Sequence, residues 1–305
     1  MANRVLILGA SGRFGRNAAQ AFADAGWAVT RFDRRRGQLD RAAQGMDVIV
    51  NGWNPAYPSW EKDVPRLTEA VISAAESAGA TVIIPGNIYV FGETLPPRLS
   101  EATPHRASHL LGRVRREMEE AYRASSAQTI VLRAGDFLDT RPSGNWFDKV
   151  MAARLGQGRF VYPGALDRVH SWAWLPDMAR ASVGLADRRD RLERFEDVPF
   201  DGFTLTGQDL GEAVGTAMGQ PIETTSMSWL PLRLLAPVWP MGRHLVEMRY
   251  LWNRPHRLDG EKLRRLLPEF RPAPLETALP IALRGLDIHP NKPVPGATAP
   301  LSAAE

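Results

Sequence analysis

LILGASGRFGR, residues 6–16, sets three glycines at 9, 12 and 15 between a short apolar run and an alanine-rich stretch. Val5 to Leu8 reads as a buried strand, and Asn17 to Ala25 as a helix closed by Gly26. At a strand-to-helix turn the spacing G-x-x-G-x-x-G has a physical use. One glycine makes the tight bend, a second lets a pyrophosphate approach the backbone, and the third lets helix and strand pack closely. The helix N-terminus then offers free N–H groups and partial positive charge to an anion. A plain structural corner would need none of this. The strand–turn–helix context therefore points to a dinucleotide seat built from Gly9, Ser11, Gly12, Arg13, Phe14 and Gly15.

Moving outward, strand and helix signals alternate. Ala28–Phe32, Asp47–Asn51, Thr81–Ile84 and Thr129–Arg133 read as strands, and Val64–Ser77 and Ser108–Arg123 as helices. In the second helix Leu110, Leu111, Val114, Met118 and Ala121 form the expected apolar stripe. This alternation predicts an α/β fold, a Rossmann-type doubly wound parallel sheet. After about Gly135 tryptophan, proline and glycine become frequent and the elements shorten, with helices expected at Gln208–Met218 and Gly260–Leu267. The expected organisation is a dinucleotide-binding domain over 1–165 and a smaller C-terminal substrate lobe over 166–287, some of whose elements return to the core. A loose tail follows over 288–305.

Composition narrows the function classes. Of 305 residues 44% are hydrophobic and 24% charged, as in an ordinary water-soluble protein. Lysine and arginine number 38 against 34 acids, a net +4, but many arginines sit among acids in RVRREMEE and RRDRLERFED, which read as solvated helix faces. Nucleic acid is therefore not an expected partner. The absence of cysteine excludes disulfides, thiolate metal sites and cysteine nucleophiles. No apolar run approaches the roughly 18 residues of a membrane span; WLPLRLLAPVWPMG comes nearest and is broken by arginine and proline. MANRVLILGA runs straight into a strand without a signal-peptide pattern, so the expected location is cytoplasmic. The six histidines, at 105, 109, 170, 244, 256 and 289, show no metal-ligand spacing, so no metal is expected. A small-molecule substrate is the expected partner, and a homodimer is left open.

At the end of the second strand, FDRRR bears on the cofactor's ribose. Asp33 can accept hydrogen bonds from both ribose hydroxyls, which favours NAD. Arg34, Arg35 and Arg36, with Arg13, can instead neutralise a 2′-phosphate. The reading is NAD(P), with a slight lean to NADP because Arg13 and Arg34 would bracket the adenosine.

The chain resembles the extended and atypical branches of the short-chain dehydrogenase/reductase superfamily, which include NAD-dependent epimerases and dehydratases. The resemblance rests on GASGRFG at 9–15, DVIVNG at 47–52, IIPGNIYVFGE at 83–93, LSEATPHR at 99–106, LRAGDFLD at 132–139 and VHSWAWLPDMARA at 169–181, in family order. It implies an NAD(P)-dependent oxidoreductase or epimerase acting on a small carbonyl, hydroxyl or sugar-derived substrate. It also implies that Asn51, Gly52 and Trp53 line the cofactor. The family's serine, tyrosine and lysine, counted from Gly92 and Glu117, fall on Asn87, His109 and Arg113. None is the expected residue.

His109, Arg113 and Glu117 share one helix face by their i, i+4, i+8 spacing. His109 is a candidate substitute acid/base, Arg113 a ribose or phosphate ligand and Asn87 a hydrogen-bond donor to a substrate carbonyl; the alternative makes Arg113–Glu117 an exposed ion pair and His109 a solvated first-turn residue. Tyr89, two residues past Asn87, is a further proton donor. Tyr57, Trp60, His170 and Trp172 are candidate substrate-facing residues, with core packing as the alternative for each aromatic. Asp177 reads as the cap of the helix that follows it. Because the tyrosine and lysine are missing, the alternative to an enzyme is a catalytically silent NAD(P)-binding regulator or redox sensor.

Overall fold

The computed structural model describes residues 2–35 and 37–288. Arg36 and, beyond Ile288, the expected tail lie outside the described residues. Strand β1 (Arg4–Leu8) enters α1 (Arg13–Asp24), β2 (Ala28–Arg31), α2 (Leu39–Ala43) and β3 (Val48–Asn51). Then come α3 (Trp60–Ala78), β4 (Thr81–Gly86), the two-residue β5 (Arg98–Leu99), α4 (Leu110–Ala124) and β6 (Thr129–Arg133). The second half contains β7 (Asp136–Leu138), β8 (Arg159–Tyr162), β9 (His170–Trp174), α5 (Leu175–Asp187), β10 (Phe195–Pro199), β11 (Phe203–Leu205) and α6 (Gly207–Met218). It closes with β12 (Glu223–Ser226), α7 (Leu230–Leu235), α8 (Pro240–Glu247), β13 (Arg257–Leu258), α9 (Glu261–Leu266) and α10 (Leu275–Gly285).

Six strands form one parallel sheet in the order β10-β6-β4-β3-β1-β2. Alternate residues of β1 serve opposite faces: Leu6 and Leu8 pack with α3 and α4, while Val5 and Ile7 pack with α1 and α5. Burial on both faces explains the apolar runs of β1 and β3, which do not alternate. The strand order reverses between β1 and β3, and a crevice at the carboxyl ends of such strands is where doubly wound sheets take their ligands. Gly9 leaves β1 there and Gly52 leaves β3. A second core joins β7, β8, β9, α6 and α10 around Phe160, Tyr162, Trp172 and Trp252. No helix among the described residues is long and apolar enough to cross a membrane.

Four readings are corrected. Helix α1 starts at Arg13, a turn before the expected Asn17. RRDRLERFED does not form a solvated helix face: its end enters β10, the sixth strand, where Glu196 and Asp197 are buried against Lys262 and Arg133. In α4 the buried face takes in Arg115, Glu119 and Tyr122, while Ala121 is exposed. Asp177 does not cap α5; it lies in the first turn, buried, and accepts hydrogen bonds from Arg180 and the Ala273 N–H. In the last three cases a charged side chain has a partner distant in sequence, which periodicity cannot register.

Candidate functional site

The glycine turn is built as its spacing requires. Gly9 has φ +71°, a conformation that side chains disfavour, and a Cβ on it would lie 2.8 Å from the Gly52 carbonyl oxygen. A Cβ on Gly15 would lie 2.2 Å from the Gly9 oxygen, so this glycine is what lets α1 seat against β1. Gly12 is the N-cap of α1, exposed, in extended conformation, with no side-chain cap and no acid in the first turn. The N–H groups of that turn have no acceptor within the helix. An uncapped helix start with an exposed glycine has the chemistry of an anion seat.

At the edge of this seat the Arg34 guanidinium stacks over Trp53 at 5.3 Å, and Phe32 meets the same ring at 5.9 Å. Asp33 is exposed and accepts from the Arg35 N–H. Arg13 does not join them: its positive charge bears on Tyr57, and its Nη2 lies 4.0 Å from where a Gly144 Cβ would stand. Arg34 and Trp53 thus stand together at the edge of the seat, with Arg13 apart from them. Asn51 turns its side chain inward, donating to Tyr122 Oη at 3.1 Å and accepting from the Trp53 N–H, which fixes the bend of the loop.

Further along the strand ends, Tyr57 and Tyr89 meet hydroxyl to hydroxyl at 2.8 Å. Trp60 packs edge-on to Tyr57 at 5.0 Å and tilted to Tyr89 at 6.2 Å; it is 1% exposed and donates to the Pro55 carbonyl, so it is a packing residue rather than the expected substrate wall. Desolvation raises both phenols, and the Asp136 carboxylate adds to the rise. Asn87 accepts from the Tyr89 N–H through its side chain, and its carbonyl accepts from Arg133. Its amide thus shapes the turn that presents Tyr89.

His109 departs from the solvated alternative. Its side chain is 6% exposed rather than solvated. Nδ1 accepts the Gly112 N–H as the N-cap of α4, and Nε2 lies 3.0 Å from Tyr250 Oη. Glu247 lies 3.3 Å from Nδ1, and His109 and His244 hold its carboxyl below the usual range against the effect of burial. Both ring nitrogens are engaged in the fold. His109→Asn preserves a strong cap and is expected to change unfolding free energy by less than about 1 kcal/mol, whereas His109→Leu costs about 1 kcal/mol or more. Urea unfolding of the two variants checks this, and lost turnover in a stable His109→Asn protein would restore the acid/base reading. Arg113 points outward to Glu61 and Glu117, 43% exposed, as the ion-pair alternative has it.

His170 is buried, bonded to Asp136 at 2.8 Å and stacked on Trp252 at 4.3 Å. Trp172 is 1% exposed within the lobe core. The partner of His170 with solvent access is Asp136, whose side chain is 24% exposed. His256, beside His170, donates from Nδ1 to the Arg254 carbonyl, and burial holds its pKa at about 3, so it stays neutral.

Sequence spacing also missed a cluster. His105, Glu119 and Asp197 place ligand atoms within 4.8 Å of one another. The cation between the carboxylates is Arg133, fully buried, bonded to Glu119 at 2.7 and 3.1 Å and to Asp197 at 2.6 and 3.1 Å. Burial works against its charge, but the two carboxylates outweigh that and raise its pKa.

No family model and no curated protein matches the sequence. Solved structures do. MoeE5 in complex with UDP-glucose and NAD has a TM-score of 0.71 at 15% identity, over 94% of this chain and 99% of that one. The human epimerase family protein SDR39U1 with NADPH gives 0.70 at 18%, over 92% and 99%. A nucleoside-diphosphate-sugar epimerase from Pseudomonas aeruginosa gives 0.69 at 18%, over 94% and 98%. The chain has the Rossmann-like fold shared by these structures. At such identities the likeness is one of fold.

Proposed function

We propose that the protein is an NAD(P)-dependent oxidoreductase or epimerase of the atypical short-chain type, acting on a small carbonyl, hydroxyl or sugar-derived substrate. The observation that carries this reading is the glycine turn: a left-handed Gly9, a Gly15 with no room for a side chain, and an uncapped α1 start at an exposed Gly12. In this reading residues 1–165 hold the cofactor and 166–287 mainly shape the substrate side. The N–H groups of Arg13, Phe14 and Gly15 bind the pyrophosphate, Asp33 and Arg34 face the adenosine ribose, and Trp53 lies along the nucleotide. The slight lean to NADP rests on Arg34.

The cofactor would supply or accept the hydride. The chain's own part is to hold the substrate and move a proton, and Tyr89 is the group assigned to it, since its hydroxyl lies at the strand ends in a 2.8 Å hydrogen bond with that of Tyr57 through which a proton can be replaced. The UDP-glucose bound by MoeE5 makes sugar derivatives a natural first panel. Steady-state oxidation of NADH and NADPH over aldehydes, ketones and sugar nucleotides tests the reading, with turnover of at least one compound expected. The second reading, a silent NAD(P)-binding regulator or sensor, is favoured by His109 and Arg113 being tied into the fold. Tight nucleotide binding without turnover of any compound would select it.

A further inference from the structure

Arg115 is anomalous. It lies on the buried face of α4, 8% exposed, and no carboxylate among the described residues forms an ion pair with it. Its Nη2 donates to the side-chain oxygen of Asn54 at 2.7 Å, Nη1 contacts the Met118 sulfur at 3.3 Å, and Nε is buried with no partner. Glu119, one turn on, is committed to Arg133. Burying a guanidinium without a counter-charge costs several kcal/mol, so a cation placed this way needs an anion that the resting fold does not supply.

The surroundings say which. The guanidinium lies 4.3 Å over the Trp60 ring, and Trp60 packs directly on Tyr57 and Tyr89. Nε has no solvent access, so an incoming ligand does not reach it. The negative charge this cation can meet is a phenolate formed in place. Burial and Asp136 oppose ionisation of both phenols, and Tyr57 and Tyr250 also oppose that of Tyr89, whereas the hydrogen bond from Tyr89, Arg13 and Arg115 favour ionisation of Tyr57, whose ring lies 6.3 Å from His244.

We propose that Arg115 is a positioning residue of the proton-transfer site: when Tyr89 gives up its proton, the Tyr57 proton moves to it along the 2.8 Å hydrogen bond, and the charge of Arg115 stabilises the phenolate left on Tyr57. The step rests on the function proposed above. A carbonyl carbon takes a hydride from a reduced pyridine nucleotide, its oxygen takes the Tyr89 proton, and the Tyr89 O–H bond breaks. The Tyr57 proton replaces the one Tyr89 lost, so the products are an alcohol, the oxidised nucleotide and a phenolate on Tyr57, which solvent reprotonates.

The test uses Arg115→Met, Arg115→Lys and Tyr57→Phe, with the best carbonyl substrate of the panel. Arg115→Met is expected to lower kcat about 10–100-fold with nucleotide affinity changed less than about twofold, and Arg115→Lys to recover most of the loss. Tyr57→Phe is expected to lower kcat and leave KM within about twofold. Independently of turnover, a 13Cζ-tyrosine NMR titration of the nucleotide-free protein should show the phenol pair ionising at higher pH in Arg115→Met and returning in Arg115→Lys. Should Arg115→Met not fold, the Arg115→Lys and Tyr57→Phe arms decide. Unchanged kcat and an unchanged phenol midpoint overturn the proposal, as does a loss confined to nucleotide affinity. Failure of the wild type to bind any pyridine nucleotide sinks the proposed function instead, while the NMR arm still reads Arg115's effect.

Discussion

Replacing Arg133 by methionine is expected to lower the unfolding free energy by about 3–5 kcal/mol, because breaking a buried ion cluster by removing one member strands its partners. Glu119 and Asp197 are 2% and 5% exposed and would keep two carboxylates in the core with only His105, 3.6 Å from each, beside them. A typical domain has about 5–15 kcal/mol in hand, so the loss is a large fraction of the whole. The damage also reaches the site, since Arg133 holds the Asn87 carbonyl beside the Tyr89 turn. Replacing Arg133, Glu119 and Asp197 together with apolar residues is expected to cost less than the single change, because no charge is left behind. Urea unfolding of both variants reads the contrast, and a single variant that loses less than about 1 kcal/mol would refute it. The same cluster sets an acid limit. Burial alone would raise Asp197, but Arg133 outweighs this and holds its carboxyl below the ordinary value of about 3.9. Its contribution is therefore present above that pH and lost as pH falls through the lower folded value. Asp197→Asn should flatten the acid limb of the stability curve.

Gly12→Asp should separate folding from cofactor binding. The N-cap conformation, φ −74° and ψ 170°, accepts any residue, and aspartate is a preferred cap. A Cβ there meets the Gly9 oxygen at 3.1 Å, a tight contact that a shift of a few tenths of an ångström relieves. Stability is expected to change by less than about 1 kcal/mol. The new carboxylate would, however, occupy the N–H groups reserved for a phosphate and oppose its charge. Loss of the helix-terminus attraction and of charge-assisted hydrogen bonds amounts to more than about 3 kcal/mol, an affinity loss beyond about 100-fold. Calorimetric titration with NADPH and NADH measures it, and undiminished affinity would place the pyrophosphate elsewhere.

The parallel sheet was legible because it is written in local patterns: apolar runs at β1, β3, β4 and β6, each followed by glycine or helix signals. The glycine loop was legible because steric demands at Gly9 and Gly15 leave no other residue type. What stayed hidden involves pairs distant in sequence. PheGluAspValPro at 195–199 looks solvated until Arg133 and Lys262 stand opposite its acids. Counting along α4 from Glu117 picked out His109 and Arg113, yet the residue turned toward the phenols is Arg115, two positions on, and the helix face is set by packing that motif counting does not see. Tyr57 was marked as a substrate wall, whereas its hydroxyl contact with Tyr89 joins loops after β3 and β4 that only the sheet order brings together.

The account stands on a pyridine nucleotide seated at the start of α1, and the most direct measurement is isothermal calorimetry of the wild-type protein with NAD, NADH, NADP and NADPH, repeated on Gly12→Asp. Saturable one-to-one heat with at least one nucleotide, abolished in a folded Gly12→Asp protein, is the expected result. Heat with none of the four, or identical heat in both proteins, would contradict it.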